Sequence, residues 1–297
     1  MGDVLAGFHT VWEFDTDSVL IRFERGIRTP KLLQTLGERR VPYEALAGVE
    51  LTPGKRGTVV LRAVPRPGAD PLMDAADGQL KEGCDPYRLV LPVQRETLAE
   101  YYADEIRAAL DPRADQPAER QLVAAPAPPM TFKAYDGKAS FDGTSVTFRW
   151  FWTGASSAKW KVGDQRFAVE ELSGVEWRSP EVYNGYLQLL REDGPRTAGA
   201  ARPPADQDPA AVVFGMGYGL VHESLPFAAA VLEAVRAASP AGPALTPEQP
   251  AARVTVAPRS GAAEIADRIR QLGELHTAGL LTDDEFSTKK AQLLAEL

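Results

Sequence analysis

The chain has 297 residues, 44% of them hydrophobic, and a formal net charge of −8. That length exceeds what one hydrophobic core usually organises and points to two or more domains, while the acidic balance argues against a nucleic-acid partner. A single cysteine, Cys84, excludes an internal disulfide, and with no Cys or His cluster at zinc spacing no metal or cofactor site is expected. The first residues lack the basic start and apolar run of a secretory leader, and no segment approaches the roughly 18 continuous apolar residues of a membrane span. A cytoplasmic protein is expected, with contact at a membrane surface as the most it would make.

In chain order, strands are expected near residues 10–15, 18–24, 31–36, 39–43, 48–53, 57–64 and 86–92, with Gly37-Glu38 turning a hairpin between the third and the fourth. "RPGADPLMDAADGQLKEGCD" (66–85) reads as a long polar loop of the mobile kind. "QRETLAEYYADEIRAAL" (94–110) follows as a helix: Leu98, Tyr101, Tyr102, Ile106 and Leu110 recur at helical spacing, and Glu96, Glu100, Asp104 and Glu105 face water. Residues 1–110 thus form a first domain. The Pro/Ala-rich stretch 111–129 is poor in large apolar residues and reads as an extended tether.

The next segment repeats the first. "WEFDTDSVLIRF" (12–23) matches "ASFDGTSVTFRW" (139–150), and "VPYEALAGVEL" (41–51) matches "FAVEELSGVEW" (167–177), with nearly the same offset. Residues 130–238 are therefore a second copy. Asp142-Gly143 is a tight-hairpin signal, and Val146, Phe148, Trp150 and Trp152 alternate with Thr147, Arg149 and Phe151 as a strand does. Gly163-Asp164, the counterpart of Gly37-Glu38, reads as another hairpin. Trp150, Trp152, Trp160 and Trp177 read as core or inter-domain packing. The glycines of "FGMGYGL" (214–220) lack the parallel strand and helix of a dinucleotide site, so they read as relief of crowding after the last strand. "PFAAAVLEAVRAA" (226–238) closes the copy as a helix, with Pro226 in its first turn.

A second Pro/Ala-rich linker, 239–259, leads to "SGAAEIADRIRQLGELHTAGLLTDDEFSTKKAQLLAEL" (260–297), which reads as a two-helix hairpin. Ile265, Ile269, Leu272 and Leu275 form one stripe, Gly279 ends the first helix, and Thr282 with Glu285 has capping-box spacing. Leu280, Leu281, Phe286, Leu293 and Leu294 complete its apolar set. Below about 40 residues a fold rarely buries enough surface to stand alone. This stripe is therefore expected to need a partner.

Seven short strands closed by one helix resemble the pleckstrin-homology-like (PH-like) superfold, and the tandem arrangement is similar to a bacterial, actinobacterial-type family of PH-like domains that precede a short C-terminal domain. "LGELHTAGLLTDDEFSTKKAQLL" resembles that short C-terminal (SHOCT) family. The resemblances imply an α+β, mainly β chain: two tandem seven-stranded barrels, each capped by a helix, and a C-terminal hairpin for oligomerisation or protein docking.

No catalytic set is expected. His9, His222 and His276 fall in separate elements without ligand spacing, and Cys84 lacks a basic neighbourhood. The expected function is a non-enzymatic binding or scaffold protein that self-associates or docks through the C-terminal residues named above. The alternative is a peripheral reader of anionic lipid or phosphorylated ligands through Arg22, Arg25, Arg28, Lys31, Arg39 and Arg40, a set of positions the PH resemblance suggests.

Overall fold

In the computed structural model, which describes residues 3–191 and 203–238, Trp12, Phe14, Val19, Ile21 and Phe23 are buried at alternate positions of the early strands, as a sheet with one wet face requires. All described residues belong to one unit, Met1–Leu245. The linker 239–259 and the expected docking hairpin 260–297 lie outside the described residues.

In the first copy, β1 (Asp3–Ala6), β2 (Thr10–Phe14), β3 (Ser18–Phe23) and β4 (Glu38–Pro42) form one antiparallel sheet, and β5 (Leu46–Pro53), β6 (Thr58–Pro65) and β7 (Arg88–Pro92) form another. Three helices accompany them: α1 (Lys31–Leu36), α2 (Pro71–Ala76) and α3 (Glu96–Ala108). The second copy repeats the plan. One sheet holds β8 (Met130–Lys133), β9 (Gly137–Phe141), β10 (Ser145–Trp150) and β11 (Gln165–Ala168); the other holds β12 (Leu172–Arg178), β13 (Tyr186–Arg191) and β14 (Ala211–Val213). Among the described residues its helices are α4 (Ser157–Val162) and α5 (Val221–Ala238).

Among the described residues the chain is mainly β, with seven strands and a following helix in each copy, but the sheets do not close into the expected barrels. At Tyr43–Ala45 and Val169–Glu171 the backbone turns a corner through a 3-10 turn, and no ladder joins the strand before it to the strand after. Each copy is thus a four-stranded and a three-stranded sheet around a shared core.

Three local expectations change. Residues 31–36, expected as a strand, are α1: "KLLQTL" is made of good helix formers, and Gly37 at φ +67° ends the helix, its N–H donating to the Leu33 carbonyl. Gly163 ends α4 in the same way, so both glycines turn from helix to strand and make no hairpin. The strand count survives because Asp3–Ala6, unmarked in the sequence, pairs with β2. Pro226 lies in the second turn of α5, not the first, where its missing N–H leaves the His222 carbonyl without a helical partner.

The segment 66–85 is no mobile loop. Asp70, fully buried, caps α2 by accepting from the Leu72 N–H at 2.9 Å, with Pro71 in the first turn. The same carboxylate takes Arg39 Nη2 at 2.8 Å and the Tyr87 hydroxyl at 2.7 Å. Thus anchored, α2 pushes Leu72, Ala75 and Ala76 into the core of the second copy, beside Leu32 of α1. There they cover α5. This explains how the two terminal helices differ: α3 buries one stripe (Ala99, Tyr102, Ala103, Ile106), whereas α5 buries Leu225 through Leu232 without a break. Polar ties flank the seam, with Gln79 bonding to Trp177 and Ser179 and Arg236 to Asp74.

The stretch 111–129, expected as an extended tether, begins with turns at Asp111–Gln116 and is fastened to the body. The Arg66 guanidinium donates to the carbonyls of Gln116, Pro117 and Glu44; the N–H groups of Leu122 and Val123 reach the Ala69 carbonyl; and the Ala125 N–H meets Glu233 of α5. Val123 is buried.

Leu72→Ala is expected to destabilise the protein by about 2–5 kcal/mol through a lost side chain and the cavity left behind. Urea unfolding followed by tryptophan fluorescence reports it, since four of the five tryptophans lie in the second copy. An unchanged midpoint would contradict the shared core.

Candidate functional site

The loops at one end of the second copy are organised by one carboxylate. Asp136, in the β8–β9 turn, is 1% exposed; its Oδ2 accepts from Lys159 Nζ of α4 at 2.5 Å and its Oδ1 from the Val213 N–H at 3.0 Å. Its own carbonyl accepts the Phe151 N–H at 2.9 Å. Three loops, the β8–β9 turn, the β10–α4 connection and the β14–α5 connection, are fastened at this point. Two glycines permit the fit: a Cβ at Gly154 would lie 2.2 Å from the Tyr135 carbonyl oxygen, and one at Gly215 would strike the Tyr135 side chain. Lys159 is wholly buried, with its Nζ 5.0 Å from the Trp150 ring centroid. Burial pushes the Asp136 carboxyl up and the Lys159 ammonium down, and their mutual attraction opposes both shifts.

On this support stand exposed aromatic groups. Trp152 is 78% exposed and meets Trp160 edge to face at 5.3 Å, while Tyr135 and Tyr218 meet at 6.4 Å, with Met216 fully exposed in the β14–α5 loop. Of the four tryptophans expected as packing, Trp150 and Trp177 are buried; Trp152 and Trp160 are not, because β10 ends at Trp150 and the chain leaves the sheet. The loops 151–158 and 213–221 carry no exposed charge. The glycines of residues 214–220 do shape the exit from the last strand, Gly217 and Gly219 at positive φ.

The first copy has the same loops with different chemistry. The Phe8 N–H bonds to the Val90 carbonyl and the Glu24 N–H to the His9 carbonyl, as Tyr135 does with Val213 and Phe151 with Asp136. The buried pair is missing: His9 stands in the place of Asp136, and Leu33 in that of Lys159. Phe8 in the β1–β2 turn and a completely bare Ile27 (106%) in the β3–α1 connection, flanked in sequence by Arg25, Arg28 and Lys31, are exposed apolar residues of these loops.

The structure does not bring the six expected cationic residues together. Arg25, Arg28 and Lys31 share the β3–α1 segment, exposed and without an ion pair among the described residues. Arg22 is held on the outer face of the sheet by Glu13 at 2.5 Å and Glu38 at 3.5 Å. Arg40 reaches Asp15 and Ser18 at the far end. Arg39 is corrected outright: it points to the opposite face from Arg40, is buried, and is committed to Asp70. Burial, and then the Asp70 charge, push the Tyr87 hydroxyl beside it well above its ordinary value. Cys84 is half-buried, and burial followed by Glu181 raises its thiol, the reverse of what activates a nucleophile. The expected docking residues of the tail lie outside the described residues.

A family model described as "Domain of unknown function (DUF4429)" matches residues 12–107 and again 139–232. The chain belongs to that family. A second model, "Short C-terminal domain" (SHOCT), matches residues 267–294. No curated protein matches the chain. Within the two DUF4429 copies, then, one framework carries two tips, one basic and apolar, the other aromatic. Sequence reasoning missed Asp136 and Lys159, although the repeat held a signal: a lysine stands where the other copy has leucine.

Breaking a buried pair strands a charge, so Lys159→Met is expected to lose about 3–5 kcal/mol, whereas Asp136→Asn combined with Lys159→Met recovers most of it. A double-mutant cycle by urea unfolding measures both. A single loss below about 1 kcal/mol, as at an exposed pair, would contradict the burial.

Proposed function

We propose that the chain is a non-enzymatic binding or scaffold protein of the bacterial tandem PH-like kind, self-associating or docking through residues 260–297. The arrangement of four strands, three strands and a helix in each copy supports the PH-like reading. The observation that carries the binding reading is the exposed aromatic tip of the second copy, held in place by a buried ion pair. Large rings on a rigid support lose little side-chain freedom on contact, a property of binding surfaces. The conspicuous buried charges, Arg39 with Asp70 and Asp136 with Lys159, are spent on internal pairs that position loops and helices. The SHOCT match supports a role for the tail in assembly, and linking several copies would raise effective affinity without new contacts.

Light scattering on the full chain and on a form ending at residue 258 tests the assembly. A multiple of the monomer mass is expected only for the full chain; monomers in both cases would remove self-association.

A second reading is favoured by the bare Ile27 between Arg25 and Arg28, an arrangement suited to the surface of an anionic membrane. No helix among the described residues is long and apolar enough to cross a membrane. Each basic residue near such a surface contributes about 1 kcal/mol, so Arg25→Glu with Arg28→Glu is expected to weaken cosedimentation with phosphatidylserine vesicles by more than about tenfold. Binding indifferent to those changes and to salt would exclude this reading.

A further inference from the structure

At the other end of the first copy, where β2 turns into β3, a cleft of about 500 Å³ opens between that turn and α3. Its walls are aromatic. Phe14 and Tyr102 stack at 4.2 Å with their planes 1° apart, and Tyr101 stands against Tyr102 at 5.2 Å and 72°, about half exposed. Tyr43 closes the floor, its hydroxyl donating to the Asp15 carbonyl at 3.1 Å. The remaining chemistry is acidic: Asp3, Asp15 and Glu105 line the cleft, and no basic residue does.

These carboxylates are little neutralised. Asp3 and Glu105 have no ion pair among the described residues, and Asp15 meets Arg40 only at 3.5 Å, with both side chains more than half exposed. The tyrosines register the field: burial, and then Asp15, Asp17 and Glu105, push the Tyr43 hydroxyl up to about 12, and burial followed by Asp3 raises that of Tyr102. The fold itself does not demand this composition. By strand register, Met130 replaces Asp3 in the second copy, and Val169 opens the corner turn that Tyr43 opens in the first.

Aromatic faces beside carboxylates that are unpaired or only loosely paired attract a cation by ring quadrupole and by charge, and they repel an anion. We propose that this cleft binds an organic cation, an alkylammonium or guanidinium group, seated against Tyr101 and Tyr102 and held by Asp3, Asp15 and Glu105. The group could come from a free amine or from a lysine or arginine side chain of a peptide, and both sources present the same chemistry. The inference is independent of the loop tips and of the tail.

The test is titration of the full chain with tetramethylammonium, with agmatine and with a blocked Gly-Arg-Gly peptide, followed by NMR of the Tyr43, Tyr101 and Glu105 resonances. Saturable shifts are expected with at least one probe and none with neohexanol, the neutral analogue of the quaternary ammonium. Response to the small amines indicates a free amine as a sufficient ligand; response to the peptide alone indicates a partner side chain. Tyr101→Ala is expected to weaken binding about three- to tenfold, Tyr101→Phe to retain it, and Glu105→Gln to weaken it more at low salt than at high salt. Tyr101 is exposed, so these variants should fold normally. Absence of saturation with every probe at millimolar concentration, equal response to neohexanol, or indifference to Tyr101→Ala overturns the proposal.

Discussion

The Asp70 carboxylate is the interaction on which the rest of the described structure depends. Wholly buried, it is satisfied by three donors at once, the Arg39 guanidinium, the Tyr87 hydroxyl and the Leu72 amide. Each donor comes from a different part of the first copy: a strand of one sheet, the approach to the last strand of the other, and the first turn of α2. A buried charge costs several kcal/mol unless it is paired and hydrogen-bonded, so this constellation forms completely or not at all. Once formed, it fixes the start of α2, and α2 carries Leu72, Ala75 and Ala76 into the neighbouring copy. The dry outer side of α5 follows from that placement.

The two copies use buried charge for different ends. In the first, Arg39 and Asp70 fix a helix that faces the other copy; in the second, Asp136 and Lys159 fix loops that face outward. Neither pair occurs in both copies. The common framework is apolar, with Trp12, Phe14 and Val19 answered by Ala139, Phe141 and Val146, and divergence has fallen on the polar groups set into it. The tips illustrate the outcome: similar backbone bonds at Phe8 and Tyr135 hold side chains suited to different contacts.

Much of this was legible in the sequence and some could not be. The repeat, six of the seven strands in the first copy, the Asp142-Gly143 hairpin and the closing helices follow from period and turn chemistry, and Asp142 accepts from the Thr144 and Ser145 amides as such a turn requires. Residues 31–36 do not declare themselves a helix, because leucines at 32, 33 and 36 suit either period over so short a run. The segment 66–85 looked polar because its few apolar residues find their partners about 150 residues away, a contact that local pattern does not record. Arg39 and Arg40 are alike in type and adjacent, yet one is buried and the other wet; strand alternation predicts that they part, but not that an aspartate waits on the inner side. For the same reason the cleft between Tyr43 and Tyr101 had no signature: its residues come from four separate elements.

The seam formed by α2 gives the duplication a direction. Among the described residues, the first copy carries the projecting helix and the second carries the surface that receives it, while α3, acidic on its outer side, offers no such surface of its own. Two units that began as equals have become a plug and its socket. Two copies that both offered a charged flank like that of α3 would give Leu72, Ala75 and Ala76 no dry seat, so the ancestral symmetry has been given up for a complementary pair.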